Sequence, residues 1–273
     1  VNRPESGGRI TDLHSHLVPG VDDGAPTLDD AMEGVGRMVE RGVGHIVTTP
    51  HLLGSLARDP RALHKRLDEL DEGFRLLSRE VSRVHPQVVL ERGCEVMLDR
   101  PDTDLSDERL RLGSGNYVLV EWPGLRVPPE TPSVVRSIRE QGVNVLIAHP
   151  ERYAGYDAGL NPIRPWREEG AFLQVNHGSL VGRYGSEVQA RAFRLLAEGW
   201  VDCMASDFHG RPALRLFIEG ARRVFQDMDA LDTWQQLTEV NPDRIARGLD
   251  PLPVAPVSGS QGRFRRLLAR FRS

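Results

Sequence analysis

Six segments of this chain end in residues that bind metals or carry protons. They are Asp12-Leu13-His14-Ser15-His16, Thr49-Pro50-His51, Gly93-Cys94-Glu95, Glu121, His149-Pro150-Glu151-Arg152 and Ser206-Asp207-Phe208-His209. Each follows a short apolar run. In an extended strand, residues i and i+2 point the same way, so His14 and His16 can grip one ion together, as can Asp207 and His209. A lone histidine at a strand end is more often a hydrogen-bonded structural residue. Here five of the nine histidines sit at such ends, which points to a shared metal site. His14, His16, Asp23, His51, Glu95, Glu121, His149, Asp207 and His209 form a candidate set too large for one ion and suited to two or three. Imidazole and carboxylate without thiolate favour manganese, iron or zinc over calcium or magnesium. Several divalent ions among four carboxylates would keep a net positive charge, which suits a phosphate dianion.

To converge, these residues need strands that end on one face. Runs at 9–13, 45–49, 88–92, 117–120, 143–148, 172–175 and 201–205 are short and rich in β-branched residues, as expected of strands buried on both faces. Between the first two, Thr27 is a good N-cap, Ala31, Val35, Met38 and Val39 form one apolar stripe, and Gly42 stops the helix. Similar helices fit 60–83, 131–141, 165–169, 186–198 and 213–226. Strand–helix alternation implies parallel strands linked by crossover helices. Seven units imply an α/β barrel with one unit fewer than the common eight, its site at the C-terminal strand ends. Residues 1–250 would form this barrel. The Pro/Gly/Ser-rich stretch 251–262 reads as a linker. In 263–273, Phe264, Leu267, Leu268 and Phe271 alternate with arginines, a short basic amphipathic helix suited to an anionic membrane surface or a partner groove.

The 273 residues are 39% hydrophobic and 27% charged, with a formal net charge of -4, which argues against a nucleic-acid binder. Cys94 and Cys203 form no CxxC pair and read as buried thiols. The opening VNRPESGGR lacks the apolar core of a secretion signal, and no stretch is long and apolar enough to cross a membrane, so the cytoplasm is expected. His45, His64 and His85 read as structural. His177, at the end of the sixth run, could line the pocket.

In this order the residues resemble the PHP (polymerase and histidinol phosphatase) superfamily, and within it the CpsB/CapC-type metal-dependent protein tyrosine phosphatases. The opening DLHSHLVPGVDDGAPTLDDA carries the most specific likeness, followed by TTPH, GCEV, LVEWP, AHPERY, QVNHGSL and ASDFHGR, over about residues 10–245. The resemblance implies a distorted seven-stranded (β/α)7 barrel with three divalent ions, manganese first, then iron or zinc. His14, His16, Glu95 and Asp207 would hold the first. Glu95 would bridge to a second, completed by Glu121 and His149. Asp23, His51 and His209 would hold the third. Asp12 would orient a liganding histidine. Asp22, Asn176 and His177 would lie behind the ligands or in the pocket, and Arg152 and Arg211 would clamp phosphate oxygens. His177, where small residues are commoner, and LLGSLARDP after His51 depart from the family pattern.

The function this implies is hydrolysis of phosphotyrosine by in-line attack of a metal-bridging hydroxide. A tyrosine leaving group, with a pKa of about 10, needs less acid assistance than an alkyl alcohol. The expected substrate is a bacterial membrane tyrosine kinase controlling capsule or exopolysaccharide synthesis, met at the inner face of the membrane. The rivals are a small-molecule phosphoesterase of the histidinol-phosphate type and a non-catalytic regulatory barrel.

Overall fold

A computed structural model of the chain describes residues 8–154 and 163–257. All seven apolar runs carry strands, and two further short strands appear. In chain order they are β1 (Ile10–Asp12), β2 (Val43–Thr48), β3 (His51–Leu53), β4 (Val89–Arg92), β5 (Glu95–Met97), β6 (Tyr117–Glu121), β7 (Asn144–Ala148), β8 (Phe172–Asn176) and β9 (Cys203–Ala205). Every pairing is parallel. They form two sheets, β1-β2-β4 and β3-β5-β6-β7-β8-β9, and not one closed ladder of seven strands.

The breaks lie at Thr49-Pro50 and Gly93-Cys94. Proline has no N–H to continue a ladder. The backbone at Gly93 runs so close to its neighbours that an added Cβ would lie 2.9 Å from the Arg111 carbonyl oxygen. Two bonds bridge the gap, from Gly93 N–H to the Thr48 carbonyl (3.0 Å) and from Glu95 N–H to the Pro50 carbonyl (3.2 Å). The first and last strands meet through an isolated parallel bridge between Ser15 and Phe208.

The helices are α1 (Leu28–Val39), α2 (Pro60–Val84), α3 (Thr131–Glu140), α4 (Ile163–Glu168), α5 (His177–Leu180), α6 (Ser186–Ala197), α7 (Ile218–Asp227), α8 (Leu231–Gln235) and α9 (Asn241–Ala246). Thr27 caps α1 by accepting the Asp30 N–H at 3.1 Å. Asp59 caps α2, which buries Leu63, Leu67, Leu70, Leu77 and Val81. α7 starts five residues later than its apolar pattern predicts. The Arg37 guanidinium binds the carbonyls of Arg211, Pro212 and Leu214, so these oxygens are committed outside a helix.

Side chains alternate between two cores. Val118, Val120, Val145, Ile147, Leu173 and Val175 pack outward against the helices. Tyr117, Leu119, Leu146, Ala148 and Cys203 pack inward with Leu13, Val47 and Ile245. Glu121 continues the inward face of Tyr117 and Leu119, so the apolar interior ends in a carboxylate at the strand C-termini.

The expected linker begins against the body. Val254 is buried, Leu252 N–H donates to Asn241 Oδ1 at 2.9 Å, and Val257 N–H donates to the Leu196 carbonyl at 3.0 Å. The basic tail 263–273 lies outside the described residues. No described helix is long and apolar enough to cross a membrane.

Candidate metal centre

All nine candidate ligands meet at the C-terminal strand ends. They form four overlapping groups whose donor atoms lie within 4.8 Å of one another: His16, Asp23, His51 and His209; His14, Glu95 and His149; His14, His16 and Asp207; and His51, Glu95 and Glu121. Glu95 is the hub. Its carboxylate lies 3.1 Å from His14 Nε2, 3.3 Å from His16 Nε2, 3.2 Å from His51 Nδ1 and 3.1 Å from His149 Nε2. The floor of the site is closed and the rim open: His14 and His16 are 0% exposed, His51 is 30% exposed and Asp23 is 63% exposed.

Two of the candidate ligands sit on unusual backbone. His149 (φ 36°) and Asp207 (φ 52°) adopt the left-handed region, which non-glycine residues rarely occupy. Such outliers persist where surrounding contacts hold them. Asp207 is held by its N–H to the His14 carbonyl (2.8 Å) and by Asn176 Nδ2 and Arg152 on its Oδ2 (2.8 and 2.6 Å).

The first two histidines are oriented from behind. His14 Nδ1 meets Gln174 Oε1 at 2.9 Å, and His16 Nδ1 meets Asp22 Oδ2 at 2.9 Å. Both partners are acceptors, so each ring carries its proton on Nδ1 and turns its Nε2 lone pair inward. Those two Nε2 atoms are 3.2 Å apart, too close for two lone pairs without a shared cation or proton between them.

The electrostatics agree. Burial alone would depress the His14 imidazole, but the charges of Glu95 and Asp207 overcome it and raise the pKa to about 9. His16 is likewise raised against burial, by Asp22 and Glu95. Burial, then the charge of Glu95, lifts Glu121 to about 8. His14 and His16 holding protons beside a carboxylate unwilling to ionise mark unmet negative charge around Glu95, while burial pushes His51, His149 and His209 the other way, toward the neutral form that can bind a metal. The cluster's donor set and convergence therefore fit divalent metal ions.

Several expected roles change. Asp12 holds His14 by its backbone and not by its imidazole. Its carboxylate accepts the backbone N–H groups of His14 (3.0 Å) and Ser206 (2.9 Å), because it lies at the end of β1 beside the chain leaving β9. Burial pushes its pKa up to about 6. Asp22 does the orienting instead, and also accepts the N–H of His51 and of Gly24. Asn176 links Gln174, Asp207 and, through its own N–H, the buried Glu151. His177 does not line the cavity beside Asp207. It is 1% exposed, its ring lies 5.5 Å from Trp234, and neither ring nitrogen has a hydrogen-bond partner among the described residues. Arg211 is exposed and donates its Nε to the carbonyls of Asp23 (2.8 Å) and Gly24 (3.1 Å), bracing the loop that carries Asp23.

Gln174 and Tyr184 were not singled out by sequence reasoning. The Arg152 guanidinium sits 4.4 Å over the Tyr184 ring. Gln174 had a signal available, since it is the polar residue inside the apolar run 172–175 and stands two residues from Asn176.

The sequence model of the family described as capsular polysaccharide synthesis, CpsB/CapC, matches residues 10–247. The tyrosine-protein phosphatase YwqE of Bacillus subtilis (strain 168) is 30% identical over 233 residues, 84% of this chain and 89% of that protein. The tyrosine-protein phosphatase CpsB of Streptococcus pneumoniae is 25% identical over 244 residues, 86% of this chain and 98% of that protein. A crystal structure from work on these two proteins, described as unique metal-dependent tyrosine phosphatases, superposes with a TM-score of 0.70 at 25% identity, covering 90% of this chain and 99% of that one. The match spans every strand and all nine candidate ligands, and the chain belongs to the CpsB/CapC family.

Proposed function

We propose that this protein is a metal-dependent protein tyrosine phosphatase. The observation that carries the reading is the buried His14–His16 pair, with both Nδ1 atoms held by acceptors and both Nε2 atoms turned toward Glu95. The family and its tyrosine phosphatase relatives supply the substrate class. Three ions are proposed, manganese before iron or zinc. His14, His16, Glu95 and Asp207 would hold the first, Glu95, Glu121 and His149 the second, and Asp23, His51 and His209 the third. His16 also lies with the last group, so it could serve either ion. Bound divalent ions supply Lewis acidity, neutralise phosphate charge and make water available as a nucleophile near neutral pH.

The chain's own residues do the positioning. Gln174 and Asp22 fix the two histidines, and Asn176 and Arg152 fix Asp207. Arg152, steadied over Tyr184, places a guanidinium beside the site where phosphate oxygens would need charge. Arg211 would add charge at the rim while bracing Asp23. We read the two sheets as one distorted seven-stranded barrel, with β2 running on into β3 and β4 into β5. The proposed substrate is a membrane-associated bacterial tyrosine kinase of a capsule or exopolysaccharide system, met at the inner face of the membrane, with the basic tail 263–273 as a contact.

The test is hydrolysis of a phosphotyrosine peptide, the matched phosphoserine peptide and histidinol phosphate, each with manganese and with chelator. Chelator-sensitive release from phosphotyrosine alone is the expected result. Preference for histidinol phosphate would overturn the protein substrate and keep the metals.

A further inference from the structure

A cavity of about 210 Å³ opens off the metal centre, with Asp207 and His209 in its wall. Its other sides are Tyr184, Phe217 and Leu214, which are partly buried, together with Arg152, Arg183 and Arg215. The three arginines differ. Arg152 is paired with Asp207 at 2.6 Å. Arg183 and Arg215 are exposed, and neither forms a salt bridge among the described residues. The Arg183 guanidinium lies 5.7 Å from the Tyr184 ring centroid, on the ring that also carries Arg152. Gly178 makes room for this arrangement, since a Cβ there would lie 3.2 Å from Arg183 Cβ and 3.3 Å from the Phe217 ring.

Aromatic and aliphatic walls suit a phenyl ring. Two unpaired cations at the mouth of a site, in a chain of net charge -4, are an uneven placement of charge. Arg152, with Arg211 at the rim, serves the phosphate; two further, unpaired arginines exceed what a single phosphate needs. We propose that Arg183 and Arg215 determine specificity, by holding acidic side chains that flank the phosphotyrosine of an extended peptide seated in this cavity. Successive residues of an extended chain are about 3.3 Å apart, so neighbours one or two positions away reach the cavity mouth. This inference rests on the phosphatase reading of the same site.

The experiment compares kcat/KM on phosphotyrosine peptides with glutamate, glutamine or lysine flanks. The manganese-loaded protein should prefer the glutamate peptide over the glutamine peptide about ten-fold, and that preference should shrink as salt is raised. The Arg183→Gln/Arg215→Gln variant should bring the ratio toward one. Arg183→Glu/Arg215→Glu should favour the lysine peptide, a gain that misfolding cannot produce. Equal turnover of glutamate and glutamine peptides by the unmodified protein overturns the inference and leaves the phosphatase standing. A preference that survives the glutamine variant does the same. No turnover of any phosphotyrosine peptide overturns the phosphatase reading and this inference together.

Discussion

His14 is held from behind by an amide and His16 by a carboxylate, so two adjacent candidate ligands differ in basicity. Such outer partners are commonly worth about 10- to 100-fold in metal affinity. Gln174→Ala and Asp22→Asn should each weaken manganese binding by that order, with kcat recovering when the metal is made saturating; calorimetric titration measures the first and steady-state kinetics the second. Unchanged affinity would show that the rings are held by packing alone. His177 makes a different statement. Burial pushes its pKa down to about 3 from an ordinary 6.5. The folded chain therefore refuses a proton that the unfolded chain accepts below pH 6.5. Its contribution is complete above that pH and is lost as pH falls toward 3, by about 2 kcal/mol at pH 5. His177→Phe should flatten that part of the acid unfolding curve, as read from urea midpoints between pH 7 and pH 5. The convergence of the nine candidate ligands was legible because their types recur at strand ends. The roles of Asp12, Gln174 and His177 were not, because each is set by a partner far away in sequence: Ser206, His14 and Trp234 respectively.

At the level of elements, strand existence follows from the apolar runs, while the breaks do not. Whether 45–53 is one strand or two depends on how the chain bends around the ligands, and the residues at the bend, Thr49-Pro50, indicate only that a ladder bond is lost. The delayed start of α7 is equally non-local, since it is dictated by Arg37 on α1. α5, of four residues, is too short for a period of 3.6 to register, and α8 and α9 belong to one helical stretch whose period is broken by a π turn at Gln236–Val240. Two substitutions separate stability from site geometry. Thr27→Ala removes the cap of α1 and should cost about 1 kcal/mol in thermal or urea unfolding without changing metal affinity. Gly73→Ala in α2 places a methyl group 2.7 Å from Val18 Cγ1, beneath the loop that leads to Asp22 and Asp23. The gain in helix propensity, up to about 1 kcal/mol, is set against about 1–3 kcal/mol for crowding the buried Val18, so stability should fall modestly. Metal affinity should fall as the loop shifts, and a variant that binds manganese normally would show that the loop is decoupled from α2.

For the molecule as a whole, a floor of buried acids and imidazoles is poorly compensated without cations, and ions that bind only the folded state stabilise it by mass action. One site filled at about 100 times its dissociation constant adds about 2.7 kcal/mol. Manganese should therefore raise the thermal midpoint in proportion to the logarithm of its concentration, and chelator should reverse the shift. An unchanged midpoint would leave the cluster without folded-state ions.

The meeting of the first and last strands also sets a clock. They are joined by the N–H of His16 to the Phe208 carbonyl and of Asp207 to the His14 carbonyl, both 2.8 Å, with the Asp12 carboxylate spanning the two segments. The seam is sewn by the same residues that would bind the ions. Any local opening that frees these amides to exchange with deuterium must also carry His14 and His16 away from Asp207 and His209. Ions gripping both sides would then slow exchange at His16 and Asp207 far more than in α2, and the ratio of those rates would report how often the centre comes apart.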